Sequence, residues 1–287
     1  MDRTNRPLLV RPPAVAGGFY PGEYSALKEA VERSFKDERG PRNLPISDPA
    51  NPAIAERTVV AGIVPHAGYI YSGPIAAHFF NKVSMTRPPK TIVILGVNHH
   101  GVGRPFSLSD ENWRTPLGVI PSDRELMRAL ALPPIAIDGD AHRLEHSIEV
   151  ELPFLQYIWP QGISIVALQV TFTDLDLLKE VGKVVSDVIK GKDVLLLAST
   201  DFSHYLPPDE QRMLDDMAIE SLLTLSPEKL FSTVVRNDIS MCGIAPVTVL
   251  LAALEGEKHK IELLAKGSSG DTEPMDKVVG YASFAIE

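Results

Sequence analysis

Residues 193–205 read DVLLLASTDFSHY, an apolar run that stops abruptly at a cluster of polar side chains. A nearly continuous stretch of Leu, Val and Ala predicts a strand buried on both faces, as in the parallel sheets of α/β proteins. Two other apolar runs also end in histidine, in IVPHAGY (63–69) and ILGVNHHG (94–101). The sequence therefore places histidines where three buried strands end.

Predicted strands and helices alternate along the rest of the chain. Apolar runs predict strands over 57–64, 90–97, 163–170, 193–200 and 278–286. Helical periodicity or continuous apolar character predicts helices over 23–35, 73–83, 145–159, 174–190, 209–225 and 242–255, and residues 106–118 are expected to add an antiparallel piece. We expect a single α/β domain over 1–287, with a central, mostly parallel or mixed sheet and helices on both faces. The four prolines of residues 37–56 predict a surface loop.

Composition excludes several classes of protein. With 287 residues, 44% of them hydrophobic, the chain can bury a sizeable core without help from disulfides. A net charge of −9 argues against a nucleic-acid partner. The single cysteine fits a reducing cytosol, and neither a signal peptide nor a membrane-spanning run is evident. We expect a cytoplasmic protein with no membrane partner.

The polar residues after the strands suggest one shared site. In open α/β sheets, ligands bind beyond the carboxyl ends of the strands, which is where His66, His99, Asp201 and His204 lie. Each has an ordinary structural explanation when taken alone, such as a helix cap for Asp201 or a loop hydrogen bond for a histidine. Their common location is not explained in that way, and imidazoles beside an anionic side chain suit a divalent metal ion.

Further motifs extend the pattern over almost the whole chain. They are, in order, AVAGGFYP (14–21), PHAGYIYSG (65–73), GVNHHG (96–101), EHSIEVELPFLQ (145–156), STDFSHY (199–205) and CGIAPV (242–247). Together these motifs resemble the Memo family. The resemblance implies a fold similar to that of the class III extradiol dioxygenases, which cleave aromatic rings at a non-haem Fe(II).

The resemblance also implies a set of site residues. His66, His99 and Cys242 are the implied metal ligands, and His204 matches the acid/base position of the ring-cleaving enzymes. Asp201 and His146 are implied to line the same pocket. Iron or copper is the expected metal, with zinc also suited to these ligands.

The implied ligand set departs from that of the non-haem iron oxygenases, which use two histidines and one carboxylate. The third ligand implied here is the sulfur of Cys242, which we favour over the carboxylate of Glu145 as the third ligand. A softer sulfur ligand changes the metal preference and the electron density on the metal, so ring cleavage does not carry over to this chain.

The functional hypothesis is a metal-dependent redox protein acting on an unidentified small molecule, with His204, oriented by Asp201, as the acid/base. One alternative, also implied by the resemblance, is a non-catalytic module that binds phosphotyrosine peptides or another partner in the same pocket. A further alternative is a hydrolase that uses Cys242 with His204 or His66 as the base. The resemblance associates prokaryotic members with a radical-SAM protein, so partner proteins of that system are also expected.

Overall fold

The computed structural model describes residues 9–45 and 55–287. Part of the expected surface loop, residues 46–54, therefore lies outside the described residues. The strands are β1 Val10–Arg11, β2 Ala61–Val64, β3 Thr91–Val97, β4 Phe106–Leu108, β5 Asn112–Thr115, β6 Gly118–Ile120, β7 Ala136–Ile137, β8 Ser164–Val170, β9 Val194–Ser199, β10 Ile261–Ser268 and β11 Gly280–Ile286.

Eight helices accompany the strands within the described residues. They are α1 Tyr24–Lys36, α2 Tyr69–Ser84, α3 Arg124–Leu130, α4 Leu152–Ile158, α5 Leu175–Ile189, α6 Pro208–Leu222, α7 Pro227–Arg236 and α8 Ile244–Ala253. Short 3-10 turns at Gly139–His142, Glu149–Glu151 and Ser269–Asp271 complete the regular structure. None of the helices among these residues is long and apolar enough to span a bilayer.

Eight strands form one mixed sheet, in the order β10-β11-β2-β9-β3-β8-β4-β7. The four central strands β2, β9, β3 and β8 are parallel to one another, whereas β11 joins β2 and β4 joins β8 in antiparallel fashion. Strands β1, β5 and β6 form a separate three-stranded sheet. The expected α/β class, with a mixed central sheet, is confirmed.

The central strands are buried on both faces because helices cover both sides. In β3, Ile92 and Ile94 point into the core under α1, α2 and α4, whereas Val93 and Leu95 point into the core under α3 and α5–α8. This alternation follows from the two-residue period of a strand. Helix α8 is buried on all sides, as its continuous apolar sequence indicates.

Candidate metal site at the carboxyl edge of the sheet

The central strands end at one edge of the sheet, where polar residues follow them. Strand β9 lies between β2 and β3, and all three run parallel. The residues that follow these strands are His66 after β2, Asp201 after β9 and His99 after β3. Neighbouring parallel strands end side by side, so these three residues meet although they are far apart in the chain.

A loop before α4 adds Glu145 and His146 to this edge. The hydroxyl of Ser147 accepts a hydrogen bond from the Val97 N–H (2.9 Å) and donates to the Val97 carbonyl (3.0 Å), which fixes the loop to the end of β3. The approach is close: a Cβ placed on Gly96 would lie 2.7 Å from the Ser147 hydroxyl oxygen. Glycine at this position allows the loop to reach the strand.

The fully buried carboxylate of Glu145 organises the histidines around it. It accepts hydrogen bonds from the backbone N–H groups of His99 (2.7 Å), His146 (2.8 Å) and Ser147 (3.0 Å), and from Nδ1 of the His99 ring (2.9 Å). Burial alone would raise the pKa of Glu145, but the hydrogen bonds and charge interactions with His99, together with the backbone donor of Ser147, hold it well below its usual range. Glu145 is therefore an ionised carboxylate that orients ligands, with its oxygens already occupied by donors.

Three imidazoles converge next to this carboxylate. His66, His99 and His146 each offer a ring nitrogen, and these nitrogens lie within 4.8 Å of one another. The rings of His99 and His146 stack with centroids 4.7 Å apart, and the ring of His66 stands nearly perpendicular to both. Phe19 packs against the ring of His146, with centroids 4.5 Å apart. We call His66, His99 and His146 the histidine cluster.

Two members of the histidine cluster, His66 and His146, have lowered pKa values. Burial lowers the pKa of His66 well below its usual value, and the nearby rings of His146 and His99 lower it further. Burial also lowers the pKa of His146 to about 4, although the charge of Glu145 opposes this shift. Neutral imidazoles keep the lone pairs that a metal ion requires. The donor chemistry of the cluster therefore fits a divalent transition metal.

Cys242 lies beside the cluster and contacts one of its members. Its Sγ is 3.3 Å from Nε2 of His66 and accepts a hydrogen bond from the Asp201 N–H at 3.2 Å. The sulfur is not among the atoms that lie within 4.8 Å of one another. Burial raises the pKa of the Cys242 thiol, and the nearby Asp201 raises it further, so the thiol is protonated without a cation.

Asp201 and His204 have separate supports. A carboxylate oxygen of Asp201 accepts the backbone N–H of His66 at 2.9 Å, and burial raises the Asp201 pKa to about 6. His204 is held instead by Ser240, whose carbonyl accepts from Nδ1 at 2.8 Å and whose hydroxyl accepts the His204 backbone N–H at 2.7 Å. The expectation that Asp201 orients the His204 ring stays a prediction, and the hydrogen bond seen at Nδ1 of this ring is to Ser240.

The Ser240 contact determines which nitrogen of His204 is free. A carbonyl oxygen only accepts hydrogen bonds, so Nδ1 of His204 carries the proton and Nε2 keeps its lone pair. A cavity of about 560 Å³ adjoins the histidine cluster and is lined by both His204 and Asp201. Its other walls are largely aromatic or apolar, with an exposed lysine, and include Phe19, Tyr71, Tyr205, Met275, Lys277, Val279 and Tyr281.

Comparison with known proteins identifies the family. The family model of the Memo-like proteins matches residues 11–285. The chain belongs to the Memo family. A MEMO1 family protein of Desulfurococcus amylolyticus is 39% identical over 281 residues, covering 96% of this chain and 98% of the relative. Another, from Methanococcoides burtonii, is 38% identical over 283 residues, covering 97% of this chain and 100% of the relative.

A solved structure shares the fold at much lower identity. The crystal structure of an uncharacterized protein from Escherichia coli K12 superposes with a TM-score of 0.53 at 15% identity, covering 78% of this chain and 98% of that protein. At this identity the likeness extends to the fold alone. The Memo chain therefore has an α/β architecture that a distant protein also adopts.

The structure brings together part of the ligand set that the Memo resemblance implied. His66 and His99 meet in the histidine cluster, where His146 joins them as a third imidazole. Cys242 contacts His66 but is not one of the three residues whose ligand atoms converge, and Glu145 accepts a hydrogen bond from the His99 ring. The set of His66, His99 and Cys242 stays a prediction, as do the catalytic roles of His204, Asp201 and His146.

Several residues that support the site could not be identified from the sequence. Ser199 contacts the His66 ring and Ser240 contacts the His204 ring, but no motif around either serine indicates these contacts. Arg11 is 1% exposed and donates to the carbonyls of His142 (2.7 Å) and Glu145 (2.6 Å) and to the Glu149 carboxylate (2.5 Å). A charged residue within an apolar opening segment was the available sign of this buried network.

Proposed function

We propose that this Memo family chain is a metal-binding redox protein whose ion is held by His66 and His99 with a third ligand from His146 or Cys242. The proposal rests on one observation, the convergence of three imidazoles on a common point beside a cavity. Glu145 binds Nδ1 of His99, which leaves Nε2 of that ring for an ion. Such carboxylate support behind a ligating histidine is typical of metal sites.

The third ligand determines which metal the site prefers. His146 would complete a set of three nitrogen ligands, which suits iron, copper or zinc. Cys242 would add a thiolate, which favours Cu(I) or zinc. The 3.3 Å between its Sγ and Nε2 of His66 is compatible with one ion bonded to both atoms, at about 2.3 Å to sulfur and about 2.0 Å to nitrogen. We propose iron or copper as the resident metal.

The residues around the cavity have their own tasks in this proposal. A redox-active ion, when bound, would exchange electrons with a small molecule in the adjoining cavity. The free Nε2 of His204 can accept a proton from that molecule or return it, because Ser240 holds the other ring nitrogen. Aromatic and apolar side chains line much of the cavity in which that molecule would bind. For partners, the proposal follows the family resemblance, which suggests proteins of a radical-SAM system.

Metal analysis tests the proposal and separates the two third ligands. Protein purified without chelators is analysed for metals, and apo protein is titrated anaerobically with Fe²⁺, Cu⁺ and Zn²⁺ as wild type, Cys242→Ser and His146→Gln. We expect one ion per chain in the wild type and a clear loss of affinity in the variant that removes the third ligand. Unchanged affinity and stoichiometry in Cys242→Ser would assign that position to His146.

A consistently metal-free protein would contradict the proposal. If that protein captured phosphotyrosine peptides, the pocket would instead belong to a binding module. A hydrolase based on Cys242 would give rapid iodoacetamide labelling that a chelator leaves unchanged, whereas ligation predicts protection that chelation removes.

A further inference from the structure

Glu151 is a second buried carboxyl group behind the histidine cluster. It lies in the 3-10 turn before α4, is 0% exposed, and has no charged partner within the described residues. Its Oε1 accepts a hydrogen bond from the Ser199 hydroxyl at 2.9 Å, whereas its buried Oε2 has no hydrogen-bond partner in the part of the chain that the structure describes. Burial raises the pKa of Glu151 well above its usual value, more than the Ser199 hydrogen bond lowers it. A buried carboxyl group that makes only one hydrogen bond within the described residues calls for an explanation.

Ser199 connects Glu151 to His66. The Ser199 hydroxyl lies 2.8 Å from Nδ1 of His66. A hydroxyl has one hydrogen, and Ser199 donates it to Glu151. In the contact with His66, Nδ1 must therefore be the donor and the Ser199 oxygen the acceptor. The proton of neutral His66 lies on Nδ1, and Nε2, which faces Cys242, keeps its lone pair.

We propose that Glu151, acting through Ser199, is a positioning residue that holds the proton of His66 on Nδ1 and so keeps Nε2 available for a metal ion. This inference rests on the proposed metal site, because it assigns a task to residues behind one of its ligands. His99 receives the same support from Glu145 by direct contact, whereas His66 receives it through a serine. His66 and His99, the two ligands common to both candidate ligand sets, are thus each supported by a carboxyl group.

The acceptor on Glu151 determines the direction of the hydrogen bonds. Without it, the Ser199 hydrogen can rotate towards Nδ1 of His66 and stabilise the opposite tautomer, with its proton on Nε2. That tautomer presents an N–H to the site instead of a lone pair and must rearrange before it binds a cation. Because Glu151 acts as an acceptor, a glutamine should replace it, whereas an apolar side chain of similar size should not.

Nitrogen NMR of metal-free protein tests the tautomer directly. Protein labelled with ¹⁵N in histidine alone is compared as wild type, Glu151→Gln and Glu151→Met, with the His66 signals assigned from a His66→Gln sample. We expect the proton on Nδ1 in wild type and Glu151→Gln, and a shift of population towards protonated Nε2 in Glu151→Met. In parallel, Zn²⁺ affinity should fall about 10- to 100-fold in Glu151→Met and stay near wild type in Glu151→Gln.

Serine variants provide a second pair in case Glu151→Met does not fold. Ser199→Ala removes the link and should also release the Nδ1 preference and weaken Zn²⁺ binding. Ser203→Ala is the matched control, since Ser203 is an equally buried serine near the same strand end that makes no hydrogen bond to His66 or Glu151. The inference is overturned if His66 keeps its proton on Nδ1, with unchanged Zn²⁺ affinity, in Glu151→Met or Ser199→Ala. Failure of wild type to bind Zn²⁺ would contradict the proposed function, while the tautomer of metal-free His66 would still be measurable.

Discussion

Glu145 and Glu151 come from one segment of the chain and are both fully buried, yet their pKa values shift in opposite directions. The Glu145 carboxylate accepts hydrogen bonds from three backbone N–H groups and from the His99 ring, and it stays ionised. Glu151 accepts a hydrogen bond from a single hydroxyl, and burial raises its pKa well above the usual value. The number of donors around each carboxyl group accounts for the difference.

Replacing Glu145 by glutamine should weaken metal binding. An amide nitrogen cannot accept hydrogen bonds, so at least one N–H group now bonded to Glu145 would face another donor. We expect Zn²⁺ affinity to fall about 10- to 100-fold in Glu145→Gln, measured by competition with a chromophoric chelator. Glu210→Gln removes the same charge from an exposed helix position and should bind Zn²⁺ like wild type. Equal affinities in the two variants would refute the orienting role of Glu145.

His142 should contribute to acid sensitivity. Burial lowers its pKa from 6.5 to about 4, and Nε2 donates to the Ser107 carbonyl at 2.8 Å. Between these pH values the unfolded chain binds the proton more tightly, so stability falls as the pH drops from about 6.5 towards 4. For this residue the loss between pH 7 and pH 5 is about 2 kcal/mol.

Urea unfolding at the two pH values measures this contribution. His142→Gln retains a donor for Ser107 but has no titrating ring, so the wild type should lose about 2 kcal/mol more than the variant on acidification. Identical losses in both proteins would show that His142 does not titrate as its burial implies.

At the residue scale, the sequence located the histidines but not their supports. His66 and His99 could be grouped because each follows a buried strand, and the fold places both in the cluster. The serines that orient His66 and His204 could not be found, since a serine hydroxyl bonds many partners and its choice depends on long-range packing.

At the scale of elements, the predicted strands and most predicted helices are present, with one informative exception. The helix expected over 145–159 begins as α helix only at Leu152, after a loop and a 3-10 turn. The Glu145 side chain bonds the N–H groups of the next two residues and so competes with helical hydrogen bonding. The apolar periodicity of this segment was correct, but it could not reveal that its first turn is used to build the site.

The start of α8 depends on a glycine. A Cβ on Gly243 would lie 2.3 Å from the Thr200 Cβ and 2.7 Å from the Ser199 carbonyl oxygen. We expect Gly243→Ala to destabilise the protein by about 1–3 kcal/mol and to displace the neighbouring Cys242 from His66. Gly139→Ala is the control, because a Cβ there meets no atom within 4 Å. Equal urea midpoints for the two variants would disprove this close packing.

Strand β1 is connected to the site through Arg11. Its guanidinium lies 4.1 Å from the Trp113 ring centroid and pairs with Glu149, which also accepts from the Tyr20 hydroxyl and the Ala14 N–H. Arg11→Met would leave the Glu149 carboxylate buried without its cation, which typically costs about 3–5 kcal/mol.

Chemical unfolding of Arg11→Met, compared with the exposed control Arg143→Met, tests this buried pair. Arg11→Met should also bind Zn²⁺ more weakly, because Arg11 holds the backbone carbonyl of Glu145. A loss of stability no greater than in the control would show that the buried pair contributes little.

At the scale of the whole molecule, the order of the strands creates the site. His66, His99 and Asp201 meet because β2, β9 and β3 are neighbours, an arrangement set by pairing between segments more than a hundred residues apart. Apolar runs predict that strands exist and that a parallel sheet is buried, but they do not give the order of the strands. The edge at which ligands bind was therefore predictable, whereas the choice between His146 and Cys242 was not.

Binding of an ion at this edge should stabilise the entire fold. Its ligands come from separate strands and loops, so an ion binds the native chain and not the unfolded one. At a free Zn²⁺ concentration one hundred times Kd, we expect about 2.7 kcal/mol of added stability and a corresponding rise in Tm. The double variant His66→Gln/His99→Gln should show no such rise. A Tm that Zn²⁺ raises equally in both proteins would point to binding elsewhere.

Anomalous diffraction from Zn²⁺-soaked crystals, recorded on both sides of the zinc absorption edge, would locate the ion at the carboxyl edge of the sheet. We expect one strong peak about 2.0–2.1 Å from ring nitrogens of His66 and His99, with His146 or Cys242 as a further neighbour. A crystal of stoichiometrically loaded protein whose peak lies away from His66 and His99 would contradict it.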